Sequence, residues 1–481
     1  MSRPSPSVAS GVRWTYLSTI ISGLLQIVLL AVMARLVSPE EFGILTTALL
    51  VLKAFQVLIQ SGYERAVVWA EEPDRACLSG LFWISILTGI LITAIVMTAS
   101  GPISAVFSEP SLQEALVTLA PMALLAAPGL VPRGILRRSM RFRALSLYEL
   151  ASYVLAFAGV GLPLAMAGYG LWALAAANLL QCLLQGGLAL VLAPPPAFTR
   201  FGWNDIRKPL RFGFSVSGLG IVEFIDQQAT QVFIGRAFGM ASLGVYNRSY
   251  ALIQLPLEQM GTSLTRVLFS PFNRARGNAD QLRQVAVMPL RLLAILVLPI
   301  ALGSGAVAET VTEVMLGSGW GDAGAIFRAL CVGTAAAVLG NLLATMNEAL
   351  TLIRQKTVAQ LLITGLLILL LARFGGQGVI VAASCFSFTR VLFLGAQIGL
   401  AAPHLGLRWL QLAATMLPGL GLALVVSGLL LGIDQYMQSL AIGAGFRLLA
   451  LVVVGVVSTC AGAWIVAPEV RRLLLRRERK K

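Results

Sequence analysis

Ionisable side chains inside long apolar segments are the residues of this sequence most able to do chemistry. Lys53 lies near the middle of one such segment, and Gln56 follows it on the same helical face. A charge at bilayer depth costs several kcal/mol unless it faces a partner or a water-filled cavity, so these positions predict a functional site. Lysine and arginine also bind phosphate groups strongly. The cations and amides of this predicted site are Arg13, Lys53 and Arg248, with Gln26, Gln56, Asn247 and Gln254.

Several of these charges also have a structural explanation. Arg13 and Arg248 lie close enough to helix ends for their side chains to reach the headgroup region. Glu258 could pair with a neighbouring cation or take part in ion coupling. Glu223 and Asp226 lie in a polar stripe, where they could bind a proton or Na⁺ or neutralise nearby cations. Four further arginines in or beside apolar segments receive no specific role, namely Arg291, Arg328, Arg390 and Arg447.

The composition places these residues in a membrane protein. Of the 481 residues, 57% are apolar and only 12% are charged, whereas about 25% of a soluble domain is charged. Apolar segments of spanning length recur from end to end, and we count about fourteen. No gap between them is long enough for a soluble catalytic domain. The sequence therefore predicts an all-α polytopic membrane protein with about fourteen transmembrane helices.

Cysteine and histidine patterns argue against metal and disulfide chemistry. The five cysteines lie far apart without a CxxC motif, and the single histidine, His404, has no Cys or Glu neighbour. We therefore expect free thiols, no cofactor and no metal site. The net charge of +15 is concentrated in short stretches between apolar segments. That pattern is typical of the loops of a membrane protein, so we expect no nucleic-acid partner.

The distribution of basic residues predicts the orientation. Most of them fall in loops on one side of the membrane, including the C-terminal run RRLLLRRERKK, while Arg35, Arg236 and Arg373 fall on the other. The positive-inside rule assigns the basic side to the cytoplasm, so both termini are expected there. The apolar stretch 14–34 is long enough to span and is expected to remain an uncleaved first helix. The basic tail could also contact anionic lipid.

A short internal repeat divides the sequence into two halves. Arg35 and Gly43 recur as Arg236 and Gly244, and the same 201 residues separate the members of each pair. Parallel repeats of this kind suit alternating access, in which two lobes rock about a central site. A proline run interrupts any helix between the halves. The predicted domains are a six-helix lobe (1–193), a cytoplasmic linker (194–211), a second six-helix lobe (212–400), and two additional helices with a basic tail (401–481).

Three segments of the sequence form a recognisable pattern. They are ARLVSPEEFGILTTALLVLKAF (34–55), RGILRRSMRFRALSLYE (133–149) and LGVYNRSYALIQLPLEQMGTSLTRVLFSPF (243–272). Together they resemble Wzx-type polysaccharide-transporter flippases of the multidrug/oligosaccharidyl-lipid/polysaccharide (MOP) exporter superfamily. The resemblance implies two helix bundles around a cavity in the bacterial inner membrane. It also implies movement of undecaprenyl-pyrophosphate-linked oligosaccharide from the cytoplasmic to the periplasmic leaflet, for exopolysaccharide, capsule or O-antigen biosynthesis.

The resemblance also implies roles for particular residues. Related lipid II flippases place cavity cations on their first, second and eighth helices, which correspond here to Arg13, Lys53 and Arg248. These residues are expected to bind the pyrophosphate, and the four amides named above are expected to contact sugars. The relatives also hold Na⁺ with an acid on the seventh helix, where Asp226 or Glu223 stands. The predicted eleventh helix contains no acid, so Na⁺ coupling lacks its companion ligands and a proton remains the alternative. Expected partners are the polysaccharide polymerase and chain-length machinery.

Two other functions compete with this expectation. A drug or metabolite exporter of the same superfamily would share the fold and would favour an acidic cavity, whereas Lys53 and Arg248 oppose the acids here. A membrane glycan polymerase or ligase would need a sizeable outer loop with catalytic residues. The outer loops 101–112 and 432–443 are short and free of Lys and Arg. We therefore expect a transporter and not an enzyme.

Overall fold

The computed structural model describes residue 23 and residues 25–70, 74–274 and 279–466. The described backbone is helical and contains no β-strand. Ten helices within these ranges are long and apolar enough to cross a membrane. The prediction of an all-α polytopic membrane protein is therefore confirmed, while the total of about fourteen spans stays a prediction.

Chain contacts divide the molecule into two compact units, Met1–Gly244 and Val245–Lys481. Within the first unit, α2 packs against α4, α3 also packs against α4, and α5 packs against α6. The helices of this unit are α1 (Leu25–Leu36), α2 (Pro39–Trp69), α3 (Arg75–Phe107), α4 (Pro110–Arg138), α5 (Arg143–Met166), α6 (Gly170–Leu192) and α7 (203–238). A further helix, α8 (240–274), begins in this unit and continues into the second.

The carboxylate of Glu41 caps the N-terminal ends of two helices in the first unit, α2 and α6. At the start of α2, Ser38 N donates to Glu41 Oε2 at 2.9 Å, and Glu41 N donates to Ser38 Oγ at 3.3 Å. This reciprocal capping box satisfies two backbone donors that the helix cannot pair. The other oxygen of Glu41 accepts from Leu171 N at 2.9 Å, at the start of α6. Gly170 is required beside it, because its φ is +47° and a Cβ would lie 1.8 Å from Glu41 Oε1.

A single glycine separates α7 from α8. Gly239 has φ 82° and ψ 177°, a conformation that residues with a side chain rarely adopt, and helix resumes at once on its far side. The sequence pattern predicts a longer loop here, with helices at 212–235 and 246–266. The connection is shorter because one left-handed residue is enough to redirect the chain.

The last two described helices, α14 and α15, belong to the second unit. Helices α14 and α15 pack against α9, around a core of Ile295, Leu422, Val426 and Leu451. Helix α13 packs against both α11 and α12. The helices that follow α8 are α9 (Val285–Ala306), α10 (Ala308–Leu316), α11 (Ala323–Ala349), α12 (Ile353–Gln377), α13 (Val379–His404), α14 (Trp409–Ser439) and α15 (Ala444–Val466).

The short helix α10 occupies a segment that the sequence pattern left as a loop. Its side chains join the additional helices to the rest of the unit. Thr310 Oγ1 donates to both carboxylate oxygens of Asp434, at 3.0 and 2.9 Å. Arg447, whose side chain is 10% exposed, lies 3.6 Å from Asp434 and 3.8 Å from Glu313. Arg447, to which the sequence assigns no role, thus joins the mostly buried Asp434 and the exposed Glu313 in one ionic network.

Removing that arginine is expected to destabilise the protein. Arg447→Met leaves the carboxylate of Asp434, which is 14% exposed, without its cation, so we expect a loss of about 3 kcal/mol and a fall of several degrees in Tm. Arg328→Met is the matched control, because Arg328 is 53% exposed and pairs with the exposed Glu309 at 3.2 Å. Surface pairs contribute less than about 1 kcal/mol. Thermal unfolding of the purified proteins in detergent compares the two, and equal shifts would contradict the assignment.

Candidate functional site

Lys53 lies near the middle of α2, as the sequence predicts. Its side chain is exposed, and it forms no hydrogen bond or ion pair with another residue in the part of the chain that the structure describes. The sequence predicts that α2 spans the membrane, and an ammonium halfway along such a helix needs water or an anion, because hydrocarbon offers it neither. Lys53 is therefore available to bind a ligand.

Gln56, one helical turn further along α2, lines an internal cavity of the first unit. The cavity has a volume of about 120 Å³, which is room for several water molecules. Its polar lining comes from Gln56, Arg133, Gln181 and Gln185, and small or apolar residues of α4 and α6 complete the wall. Arg133 Nη2 donates to Gln185 Oε1 at 2.7 Å, and Arg133 Nε donates to Tyr148 Oη at 3.0 Å.

A buried carboxylate balances the charge beside this cavity. Glu64, whose side chain is 8% exposed, lies 2.7 Å from Arg137 and 3.6 Å from Arg133. These contacts fasten α2 to α4. The sequence shows Arg133 and Arg137 only within the basic segment of the flippase-like pattern (133–149), and nothing in it singles out Glu64. No spacing rule could pair residues so far apart along the chain.

A double-mutant cycle would measure this ionic network. We expect Glu64→Gln and Arg137→Gln to be coupled by about 1–3 kcal/mol, since each side chain is a direct partner of the other. The matched cycle combines Glu64→Gln with Arg141→Gln, because Arg141 donates to the backbone oxygen of Leu192 at 3.1 Å instead. That second coupling energy should stay below about 0.5 kcal/mol. Similar couplings in both cycles, measured by detergent-phase unfolding, would contradict a specific pair.

The two acids of α7 lie in different surroundings. Asp226 is 1% exposed, whereas Glu223 is exposed. Gln228, Thr230 and Gln231 are also buried, so the polar stripe that the sequence shows faces the protein interior in part. Among the described residues, no group of three or more His, Cys, Asp or Glu side chains is placed to hold a metal ion. Asp226 is the acid of this stripe whose burial suits ion coupling.

The predicted residues of α8 form two local pairs in the second unit. Arg248, which is partly buried, donates from Nη2 to Asn247 Oδ1 at 2.6 Å. Gln254 Nε2 donates to Glu258 Oε1 at 2.7 Å, one helical turn later. Both pairs combine a charged group with an amide, an arrangement that suits polar ligands such as sugars and phosphates.

Of the remaining residues predicted for the site, the structure describes Gln26 but not Arg13. Gln26 lies in α1 and is partly buried. Arg13 and the basic C-terminal tail lie outside the described residues. Arg390, another arginine without a predicted role, is buried with its guanidinium 5.1 Å from the centre of the Phe386 ring. A cation–π contact of this kind stabilises a guanidinium that lies over an aromatic ring.

The repeated glycines contact each other's segments. A Cβ on Gly43 would lie 1.8 Å from the backbone oxygen of Met240, and a Cβ on Gly244 would lie 1.8 Å from the backbone oxygen of Pro39. The offset of 201 residues that relates Gly43 to Gly244 also relates Pro39 to Met240. The starts of α2 and α8 therefore touch as equivalent partners, each through its glycine. Thr47 Oγ1 adds a 3.3 Å contact to Met240 Sδ.

A comparison with known protein families identifies the family of this chain. The family model described as "Polysaccharide biosynthesis protein" matches residues 32–325, which is more than half of the chain. The chain belongs to this family. The resemblance to Wzx-type polysaccharide transporters is thereby confirmed. The matched range contains Lys53, the acids of α7 and the polar pairs of α8.

Two proteins of known name are similar in sequence to this chain. The succinoglycan biosynthesis transport protein ExoT of Rhizobium meliloti (strain 1021) is 26% identical over 315 residues, which cover 65% of this chain and 63% of ExoT. The lipopolysaccharide biosynthesis protein WzxC of Escherichia coli (strain K12) is 24% identical over 335 residues, covering 67% of this chain and 66% of WzxC. The chain thus matches somewhat less than two thirds of the length of each.

A solved structure shares the fold over nearly the whole chain. The lipid II flippase MurJ, in an inward closed conformation, superposes with a TM-score of 0.80 and covers 95% of this chain and 99% of its own. The sequence identity is 13%, so the likeness concerns the fold. It agrees with the prediction of an all-α polytopic membrane fold.

Proposed function

We propose that this protein is a flippase for lipid-linked oligosaccharide. It moves undecaprenyl-pyrophosphate-linked repeat units from the cytoplasmic to the periplasmic leaflet by alternating access, for exopolysaccharide, capsule or O-antigen biosynthesis. The observation that supports this most is the family match over residues 32–325, with relatives named for the transport or biosynthesis of polysaccharides. The fold shared with a lipid II flippase agrees, because that protein also acts on a lipid-linked glycan by name.

The polar residues of α2 and α8 are the proposed ligands of the substrate. Lys53 and Arg248, with Arg13, bind the pyrophosphate, since charge-assisted hydrogen bonds are the strongest contacts available to it. Gln26, Gln56, Asn247 and Gln254 contact sugar hydroxyls. The exposed, unbonded ammonium of Lys53 supports its place in this set. We propose Asp226 as the site of a coupling proton or Na⁺, with Glu223 and Glu258 as further candidates.

The proposed setting is the inner membrane of a bacterium, with both chain termini in the cytoplasm. The basic-residue count supports this orientation. A polysaccharide polymerase and the chain-length machinery would receive the flipped unit. In this proposal the protein acts as a transporter and catalyses no covalent step.

Reconstitution tests the function directly. The purified protein is placed in liposomes with a fluorescent undecaprenyl-pyrophosphate oligosaccharide, and a membrane-impermeant reagent reports how much of it reaches the outer leaflet. We expect exposure of the labelled lipid to rise well above that of protein-free liposomes. Protein-dependent movement of small organic cations, without movement of the lipid-linked glycan, would contradict the proposal and indicate a drug exporter.

A further inference from the structure

The segment between α6 and α7 (193–202), called the linker below, packs against α3 through hydrogen bonds. The hydroxyl of Ser79 lies within hydrogen-bond distance of two linker carbonyls, 3.1 Å from Ala197 O and 2.8 Å from Thr199 O. Trp83 Nε1 donates to Ala197 O at 2.7 Å. Helix α3 begins at Arg75, so these contacts place the linker about 6–12 Å along the axis of a membrane-spanning helix.

Close packing fixes the direction of the linker side chains as well. A Cβ on Gly80 would lie 2.6 Å from Ile206 Cγ2 and 2.8 Å from Phe201 Cδ2, so this glycine allows the first turn of α7 to approach α3. Ile206 is 1% exposed as a result. The opposite side of the linker therefore points away from the helix bundle of the first unit.

Two aromatic side chains project from that outer side. Phe198 lies between the two residues whose carbonyls contact Ser79, and it is 99% exposed. Trp203, at the start of α7, is 63% exposed. Exposed aromatic side chains at the end of a spanning helix are typical of the membrane interface, where the ring lies among headgroups and upper acyl chains.

The same surface is basic. Arg200, Arg207, Lys208 and Arg211 are exposed, and none forms an ion pair with a residue of the described chain. The one acid among them, Asp205, accepts from Gly202 N at 2.7 Å and so ends the linker turn. The surface formed by Phe198, Trp203 and these four cations, called the linker surface below, has a net charge of +3 when Asp205 is included.

We propose that the linker surface binds anionic phospholipid headgroups of the leaflet that it faces. The basic-residue count places this end of α3 at the cytoplasmic face, where anionic lipids attract basic side chains with about 1 kcal/mol each. Phe198 and Trp203 insert beside the headgroups, and the four cations bind their phosphates. The position of the two aromatic rings, alongside the first turns of the membrane-spanning helix α3, favours lipid over a soluble acidic protein as the ligand.

Lipid titration of the full-length protein in detergent tests this inference without any transport measurement. Native mass spectrometry counts bound phosphatidylglycerol and phosphatidylcholine with identical acyl chains. The linker variant is Arg200→Gln/Arg207→Gln/Lys208→Gln. The matched control, Arg283→Gln/Arg354→Gln/Arg408→Gln, removes the same charge from three exposed arginines of the second unit.

We expect the wild type to bind phosphatidylglycerol at least about ten-fold more tightly than phosphatidylcholine. The linker variant should lose about ten-fold or more of its phosphatidylglycerol affinity, while the control stays within about two-fold of wild type. Phe198→Ser/Trp203→Ser should weaken the binding of both lipids, since insertion does not depend on headgroup charge. Unchanged phosphatidylglycerol binding by the linker variant would overturn the proposal and leave the surface to a protein partner. An equal loss in the control would also overturn it, because net charge alone would then explain the binding.

Discussion

Replacing Lys53 with methionine is expected to slow the transport of lipid-linked oligosaccharide strongly. Methionine has a similar length and no charge, so Lys53→Met removes one charge-assisted contact to the pyrophosphate. Such a contact contributes about 1.5–3 kcal/mol, which corresponds to a fall in transport rate of roughly 10–100-fold at limiting substrate. The liposome exposure assay with the fluorescent lipid measures this rate.

The matched variant at this position is Lys53→Arg, which keeps the cation and should keep at least a large part of the rate. Because the Lys53 side chain is exposed and unbonded within the described chain, neither substitution should change Tm by more than about a degree. A slow but normally folded Lys53→Met protein would therefore identify a binding role. If Lys53→Ala and Arg248→Ala both left transport at the wild-type rate, the predicted cationic site would be wrong.

The helices were predictable because each depends on residues that are adjacent in the chain. The apolar pattern predicts helices at 170–192, 285–303 and 325–347, and the structure has them at Gly170–Leu192, Val285–Ala306 and Ala323–Ala349. Lys53 was recognisable for the same reason, since one charge in a long apolar run is a local signal.

Features that depend on distant residues were not predictable from the sequence. Glu64 meets Arg133 and Arg137 only because α2 packs on α4. Helix α10 was missed because its mixture of polar and apolar residues resembles a loop, and its role arises from Asp434 and Arg447 far along the chain. Burial likewise separates Asp226 from Glu223, although spacing treats them alike.

The internal repeat was only partly predictable from the sequence. Two shared residue types at one offset are a weak signal in sequence, but Gly43 and Gly244 prove to be the positions where the two copies of the motif touch. A glycine at each position has a physical reason, because a backbone oxygen of the other copy occupies the space of the missing side chain. The shared glycines are therefore explained by the contact between the two copies, and mutations at these glycines can test that contact.

Alanine at either glycine is expected to push the starts of α2 and α8 apart. The new Cβ of Gly43→Ala would lie 1.8 Å from Met240 O, and that of Gly244→Ala would lie 1.8 Å from Pro39 O. The obstructing atoms are backbone and cannot rotate away, so each variant should lose about 3 kcal/mol of stability and several degrees of Tm. Gly187→Ala and Gly365→Ala are matched controls in helices, with no atom within 4 Å of the new Cβ. These controls should be neutral or stabilising by up to about 1 kcal/mol.

The double variant distinguishes one shared contact from two separate defects. Once Gly43→Ala has separated the two helix starts, the second methyl group enters space that is already open. Gly43→Ala/Gly244→Ala should therefore lose clearly less stability than the two single variants together, with a non-additivity of about 1–3 kcal/mol. Unfolding of all three proteins in the same detergent measures this difference. Strictly additive losses of stability would mean that the two substitutions disturb independent contacts. That result would contradict a single shared contact between the two copies.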